Sequence, residues 1–168
     1  MKSLLLIFSF FLIGCVSRVV PLRHQYLPGI FEQVVTKPKA VVWANLLNFL
    51  SQNQIAVRVS DSATGLLKSG QTALPWSYES KGGGKLNDPE AWVAVERVIY
   101  KNKPLTLTSI VGEWNIRVKE LDAGRTYIVV NLVDLRYSTP SEPTYQPFLR
   151  ASPRSTGVFE RMLADQLK

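Results

Sequence analysis

The chain has 168 residues, of which 46% are hydrophobic, and its 20 Lys and Arg against 13 Asp and Glu give a formal net charge of +7. This apolar content is ordinary for a globular protein, so the length suits one domain with a real core after removal of a leader. One Cys and one His in the sequence exclude an internal disulfide and the His and Cys clusters of structural zinc sites. We therefore expect no metal and no cofactor.

A leader forms the start of the chain. Lys2 supplies a basic residue, and an apolar run extends from Leu4 to Ile13. The run is too short to cross a bilayer, which requires about 20 apolar residues, but its length is typical of a secretory signal peptide. We therefore interpret it as a signal for export.

The leader ends in the motif Leu12-Ile13-Gly14-Cys15. This motif resembles the lipobox of bacterial lipoproteins. The resemblance implies that a signal peptidase cuts just before Cys15, that its thiol carries a diacylglyceryl group, and that the new amino group is acylated. Residues 1–14 are then the signal peptide and Cys15 is the lipidation site. An ordinary secretory peptide, or a short anchor with a chance Cys, is the alternative.

Lipidation would determine where the protein resides. Two or more acyl chains give a durable anchor, so the membrane is the first expected partner. Val16 is not the Asp that retains enterobacterial lipoproteins in the inner membrane, which favours the outer membrane, on its periplasmic side. Export argues against nucleic acid as a partner. The excess of Lys and Arg indicates a solvated basic surface or an affinity for anionic headgroups.

Residues 15–29 are expected to be a lipidated N-terminus and tether. Pro21, Pro28 and Gly29 argue against regular structure there, and the single His of the chain, His24, is expected to be solvated. Residues 30–168 would then form a single α+β domain in the periplasm.

The first half of that domain changes its hydrophobic period. A strand is expected at residues 30–36. A helix follows over residues 38–50, because proline is tolerated in a first helical turn and apolar residues recur there at helical spacing. Alternation over residues 55–59 predicts a half-buried strand, and a turn at 61–65 leads to a further strand at 66–70.

The middle of the domain is less regular. Residues 71–88 read as a loop or edge strand, with a flexible glycine-rich tip at 81–85. Residues 91–100 are compatible with a helix or a strand, and their β-branched content favours the strand.

The clearest pattern is a hairpin in the second half. Residues 106–121 and 127–135 alternate on either side of an Asp-Ala-Gly turn. Residues 138–153 contain four prolines and are expected to be an extended surface loop. A closing amphipathic helix is expected after Gly157.

Together these elements predict the α+β class, with a single antiparallel sheet of four to six strands and two amphipathic helices packed on one face. The resemblance to known domains rests on the runs Val41-Val42-Trp43, Leu46-Leu47, Leu50, Ile55-Ala56-Val57 and Asp61-Ser62-Ala63-Thr64-Gly65-Leu66-Leu67. These resemble the domains of BamC-type lipoproteins. The resemblance implies a helix-grip-like fold and an accessory role in outer-membrane β-barrel assembly. This chain has one such domain where that lipoprotein has two.

Three aromatic residues are candidates for binding a partner. Trp76, Tyr78 and Trp92 surround the irregular middle and could line a groove for a sugar or a peptide. The alternative is that they anchor the core or a loop.

No catalytic constellation is recognisable in the sequence. A serine nucleophile needs a positioned base, and the only His lies in the expected tether. The one enzymatic route left is a pair of carboxylates, as in a polysaccharide hydrolase, with Asp61, Glu79, Asp88, Glu113 and Asp134 as candidates.

We therefore predict a non-enzymatic binding or scaffold module that meets another envelope protein. A lipid or glycan carrier remains as an alternative, and it would require an apolar cavity beneath the first helix. The hydrolase is the second alternative, and it would require two carboxylates to converge in a cleft.

Overall fold

The computed structural model describes residues 17–27, 30–80, 84–100, 102–104, 106–138 and 153–168. In chain order its elements are β1 Ser17–Val20, β2 Ile30–Val35, α1 Lys39–Gln52, β3 Val57–Asp61, β4 Leu66–Ser69, β5 Thr72–Ala73, β6 Trp76–Tyr78, β7 Val93–Val95, β8 Arg97–Tyr100, β9 Lys103–Pro104, β10 Ser109–Asp122, β11 Arg125–Ser138, β12 Arg154–Ser155 and α2 Val158–Leu167. The motif from Leu12 to Cys15, most of the loop expected at 138–153, and residues 81–83 of the expected flexible tip lie outside the described residues.

The strands form three sheets, so the prediction of a single antiparallel sheet is wrong. The largest sheet has six strands, in the order β2-β11-β10-β4-β3 with β5 also paired to β10. Two three-stranded sheets, β1-β8-β9 and β12-β7-β6, accompany it, and β6 pairs with β7 in parallel. The described chain is mostly β, and the helix-grip-like fold, which assumes the single sheet, is corrected as well.

Short strands with distant partners explain the difference. The strands from β6 to β9 have two to four residues each. The segment Ser17–Val20, expected within the tether, forms β1 and pairs with β8, with Val20 opposite Arg97. A pairing between segments so far apart in sequence leaves no periodic signal in either of them, because periodicity reports only which side of a segment is buried.

The hairpin of β10 and β11 forms the centre of the large sheet, and this prediction is confirmed. Each strand has 14 residues. At the turn, Asp122 pairs with Arg125, and its Oδ1 accepts a hydrogen bond from the Gly124 N–H at 3.1 Å. Alternate side chains of β10, among them Trp114 and Ile116, are fully buried on the face that meets the helices.

Both predicted helices are present. α1 begins directly after Pro38, and α2 begins after Gly157, whose φ of 81° is a conformation that glycine adopts readily. α1 packs on β10 and β11, and α2 packs on α1 and β2. Residues 91–100 are extended and form β7 and β8, as their β-branched content predicted.

One aromatic ring connects these layers. Phe159 of α2 is fully buried and stacks on Trp114 of β10, with ring centroids 3.8 Å apart and an interplanar angle of 11°. Phe49 of α1 lies 5.4 Å from the same ring, and Trp92 lies 5.1 Å from it. We call these four residues the aromatic cluster.

The first strand after α1 differs from its prediction. Val57 and Val59 of β3 are 38% and 36% exposed, so the strand is not half-buried. β3 is an edge strand, and its pairing with β4 is irregular around Arg58, which breaks the regular inward and outward alternation. Ile55, which lies just before the strand, is the buried member of the predicted set.

A buried carboxyl group lies in the first turn of α2. Glu160 is 2% exposed, and its Oε1 accepts a hydrogen bond from Ser155 Oγ at 2.7 Å. No group among the described residues hydrogen-bonds to its Oε2. Burial raises the pKa of Glu160, and the hydrogen bond from Ser155 offsets that shift only in part.

Phe159→Ala should destabilise the protein by about 3–5 kcal/mol, because it removes a fully buried ring and leaves a cavity. Urea unfolding measures the change. Met162→Ala on the same helix is the matched control, since Met162 is 39% exposed and should cost no more than about 0.5 kcal/mol. Equal effects of the two substitutions would contradict the central place of the aromatic cluster.

Glu160→Gln should stabilise the protein at neutral and alkaline pH. The folded-state pKa of Glu160 lies above the unfolded-state value, so the protonated group favours the folded state and stability falls as pH rises through the folded-state pKa. Gln does not titrate. The free energy of unfolding of the variant should therefore exceed that of the wild type by about 1 kcal/mol at pH 8, and the two values should converge at about pH 4. Urea unfolding at both pH values tests this, with Glu120→Gln as the exposed control. A wild type that gains on the variant as pH rises would contradict the assignment.

Candidate functional site

The large sheet has one face that the helices do not use. Register and side-chain alternation place three rows of residues there. We call this surface the open face. Its rows are Val34, Tyr127 and Lys119; Glu32, Val129, Arg117, Leu66 and Asp61; and Ile30, Asn131, Asn115, Lys68 and Val59.

Apolar side chains lie at the two edges of the open face. Ile30 and Val34 on β2 are 54% and 50% exposed, and Val59 on β3 is 36% exposed. Both strands are edge strands, so part of their backbone hydrogen-bonding capacity is unused by the sheet. Apolar side chains next to an open strand edge are typical of a surface that binds another polypeptide.

Basic side chains occupy the middle of the open face. Lys68, Arg117 and Lys119 lie on β4 and β10, and none of the ion pairs within the described residues involves them. The acidic groups nearby are already engaged. The Tyr127 hydroxyl donates a hydrogen bond to Glu32, and this contact raises the pKa of Tyr127. The open face therefore carries three basic side chains against two acidic ones, Glu32 and Asp61, so positive charge is in excess there.

A second concave surface lies beside the small sheet of β1 and β8. Register places Arg18 opposite Ile99 and Val20 opposite Arg97, so these four side chains share one face. Together with Arg23 they line a cavity of about 310 Å³. We call it the arginine groove. The other residues that line it are Pro21, Leu22, Glu79, Ser80 and Val95.

Glu79 holds the N-terminal segment against this groove. Its carboxylate accepts hydrogen bonds from the backbone N–H of Arg23 at 2.8 Å, from that of His24 at 3.0 Å and from the Tyr26 hydroxyl at 2.7 Å. Burial alone would raise the pKa of Glu79, but these three hydrogen bonds outweigh it and the pKa is lowered. In turn, burial first and Glu79 second raise the pKa of Tyr26.

The segment expected as a tether therefore lies on the domain. Besides the contacts of Glu79, the Leu27 N–H donates a hydrogen bond to the Ser155 carbonyl at 3.1 Å. The His24 side chain stays exposed, as expected for a solvated histidine. The sequence analysis identified neither the groove nor the role of Glu79 in holding the N-terminal segment. The only local indication of a strand there was the alternation of Arg18 and Val20 with their neighbours.

The three candidate aromatic residues separate into two groups. Trp76 and Tyr78 meet at right angles with centroids 5.2 Å apart, and the Arg97 guanidinium lies 5.0 Å from the Tyr78 ring. Trp92 instead packs on Phe159 in the aromatic cluster. All three are partly buried against the hydrophobic core, but Tyr78 also contacts Arg97 of the arginine groove, whereas Trp92 contacts the aromatic cluster.

The candidate carboxylates have separate local roles. Asp61 accepts hydrogen bonds within the β3–β4 turn, and Asp88 accepts one from the Glu90 N–H. Glu113 is buried and pairs with Arg58 at 3.0 Å. Asp134 lies on β11 with a φ of 51°, where the register with β10 shifts. Within the described ranges, no three His, Cys, Asp or Glu side chains are grouped so as to hold a metal ion.

The region beneath α1, where the carrier alternative requires a cavity, contains packed side chains. Leu46 and Leu50 are fully buried and belong to the same apolar cluster as Leu67 and Trp114. No helix in the described part of the chain is long and apolar enough to span a bilayer.

Neither a protein-family model nor a curated protein matches this sequence. Among solved structures, norcoclaurine synthase from Thalictrum flavum aligns over 99% of this chain and 96% of its own, with 12% identity and a TM-score of 0.33. The Zhui aromatase/cyclase from Streptomyces sp. R1128 aligns over 76% and 71%, with 20% identity and a TM-score of 0.26. An uncharacterised protein from Bacillus thuringiensis aligns over 82% and 91%, with 8% identity and a TM-score of 0.28.

Likenesses at this level establish neither the fold nor the function of this chain. The names of two of these proteins state enzymatic activities, which belong to those proteins. The expectation that this chain is non-enzymatic stays a prediction.

Proposed function

We propose that the protein is an envelope lipoprotein, anchored at Cys15 to the periplasmic side of the outer membrane, that acts as a non-enzymatic binding or scaffold module. The open face is the observation that carries the binding role. Its partner would be another envelope protein. An accessory role in outer-membrane assembly is one setting for such a module, supported by the sequence resemblance alone.

The chemistry of the open face defines the partner. Lys68, Arg117 and Lys119 favour a surface that presents carboxylates, because complementary charge steers association and sets register. Ile30 and Val34 at the β2 edge favour apolar side chains on the same partner, because burial of apolar area supplies most of the binding energy. The proposed partner is thus an envelope protein with an acidic surface bordered by apolar residues.

Val34→Asp should weaken capture of that partner about tenfold, because it places a charge in the apolar edge and repels carboxylates. Crosslinking in membranes followed by affinity capture measures this. Met162→Asp is the matched control, since Met162 is also an exposed apolar residue but lies on α2. Equal losses for both variants, or no change for Val34→Asp, would contradict the use of the open face.

The anchor makes a separate prediction. Protein purified from its native membranes should begin at Cys15 and carry the mass of its lipid groups, whereas Cys15→Ala should lack the lipid mass and should fractionate differently from the wild type because it keeps its leader. Intact-mass spectrometry and fractionation measure both. A chain that still begins at Met1, or that is cut elsewhere and keeps a free thiol, would contradict the lipoprotein assignment while leaving the open face untested by that result.

A further inference from the structure

The first strand that the structure describes lies very close in sequence to the proposed anchor. Only Val16 separates Cys15 from β1, which starts at Ser17 and pairs with β8. Three residues of extended chain, from Cys15 to Arg18, reach at most about 11 Å. The headgroup layer of one leaflet is roughly 5–8 Å thick. If Cys15 carries lipid, Arg18 therefore lies at or just above the headgroups.

The surface brought to this position is basic. Arg18, Arg23 and Arg97 line the arginine groove, and none of them takes part in an ion pair within the part of the chain that the structure describes. The carboxylate in the groove, Glu79, is occupied by three hydrogen bonds from residues 23–26. The groove thus holds three cationic side chains against one carboxylate. The guanidinium groups of Arg18 and Arg23 are available to an external anion, whereas that of Arg97 lies over the Tyr78 ring.

A neighbouring cavity extends the same surface. It measures about 410 Å³ and shares Pro21 and Leu22 with the arginine groove. Arg154, His24 and Glu96 also line it, so it contains one acidic side chain beside its basic ones. Apolar and cationic side chains next to each other suit the boundary between headgroups and acyl chains.

We propose that the arginine groove binds the phosphate headgroups of the anionic phospholipid surface to which the anchor is attached, and so fixes the orientation of the domain on the membrane. This inference rests on the proposed anchor for its position. Guanidinium groups bind phosphate through paired N–H donors, which gives the contact a defined geometry.

The experiment attaches the lipid chemically, so that its result does not depend on lipidation in cells. Full-length protein is synthesised without membranes, and its only thiol, Cys15, is coupled to a maleimide lipid in vesicles. Hydrogen exchange is then compared on vesicles of phosphatidylcholine alone and of phosphatidylcholine with phosphatidylglycerol. Peptides from β1 and β8 should be more protected on the anionic vesicles, and the extra protection should disappear at about 1 M salt, where charges are screened.

Charge variants test which surface makes the contact. Arg18→Gln together with Arg23→Gln should lower the equilibrium constant for contact between groove and headgroups about 25-fold, roughly fivefold for each arginine. Hydrogen exchange in β1 and β8 should then return to its rate on phosphatidylcholine. The matched control, Arg117→Gln with Lys119→Gln, removes the same charge from the open face and should keep the protection.

Several outcomes would overturn the proposal. These are equal protection on both kinds of vesicle, loss of protection in the control pair, or the same protection from free glycerol phosphate without vesicles. Since the anchor is supplied chemically, none of these results depends on whether cells acylate Cys15, which intact-mass measurement decides by itself.

Discussion

The stacking of Phe159 on Trp114 is the contact on which the rest of the structure depends. It joins α2 to the central hairpin at a centroid separation of 3.8 Å, and Phe49 and Trp92 close around the same ring. Both helices, the large sheet and the segment that leads into β7 therefore meet at one side chain. The small sheet of β6, β7 and β12 joins the same core, because Val93 and Val95 of β7 are buried in it.

Covering one side of the hairpin has a consequence for the other side. With α1 on β10 and β11, the inward residues of both strands are used by the core. Strand alternation then forces their neighbours outward, where Arg117 and Lys119 are exposed. The open face is therefore a direct result of the period-two pattern that builds the core. Its irregular edge at β3 follows from the bulge around Arg58, which also brings that side chain to Glu113 at 3.0 Å.

Sequence reasoning succeeded where a single segment carries the signal. α1, α2 and the β10–β11 hairpin follow from local periodicity and turn chemistry, and Gly65 adopts the positive φ expected of its turn. It failed where two distant segments must meet. The contact of Arg23 with Glu79 joins residues 56 positions apart. The pairing of β1 with β8 joins residues that are even farther apart in sequence. The helix-grip-like expectation failed for the same reason, because its runs cover a helix and two strands without specifying how many sheets form.

The candidate aromatic residues show the same limit. Because Trp76, Tyr78 and Trp92 surround an irregular segment, the sequence predicts that they lie at or near the surface. It does not predict which side chains each of them contacts. Trp92 meets Phe159, whereas Tyr78 meets Arg97. The distinction depends on parallel pairing of β6 with β7, which places Trp76 opposite Val93. Parallel pairing needs a crossover between the strands, and the crossover is not visible as a periodic pattern.

The docking of residues 17–27 changes what an anchor at Cys15 would do. A flexible tether would allow the domain many orientations, whereas a paired strand that begins at Ser17 restricts them. The backbone of Leu107, next to the start of β10, hydrogen-bonds to Tyr78 beside the arginine groove. From Ser109 the hairpin extends over 14 residues, about 45 Å at the usual rise per residue. The open-face residues of β10, from Asn115 to Lys119, lie six to ten positions beyond Ser109, which is about 20 to 34 Å along the strand. With the groove on headgroups, the surface proposed to bind a partner would thus be separate from the surface that contacts the membrane.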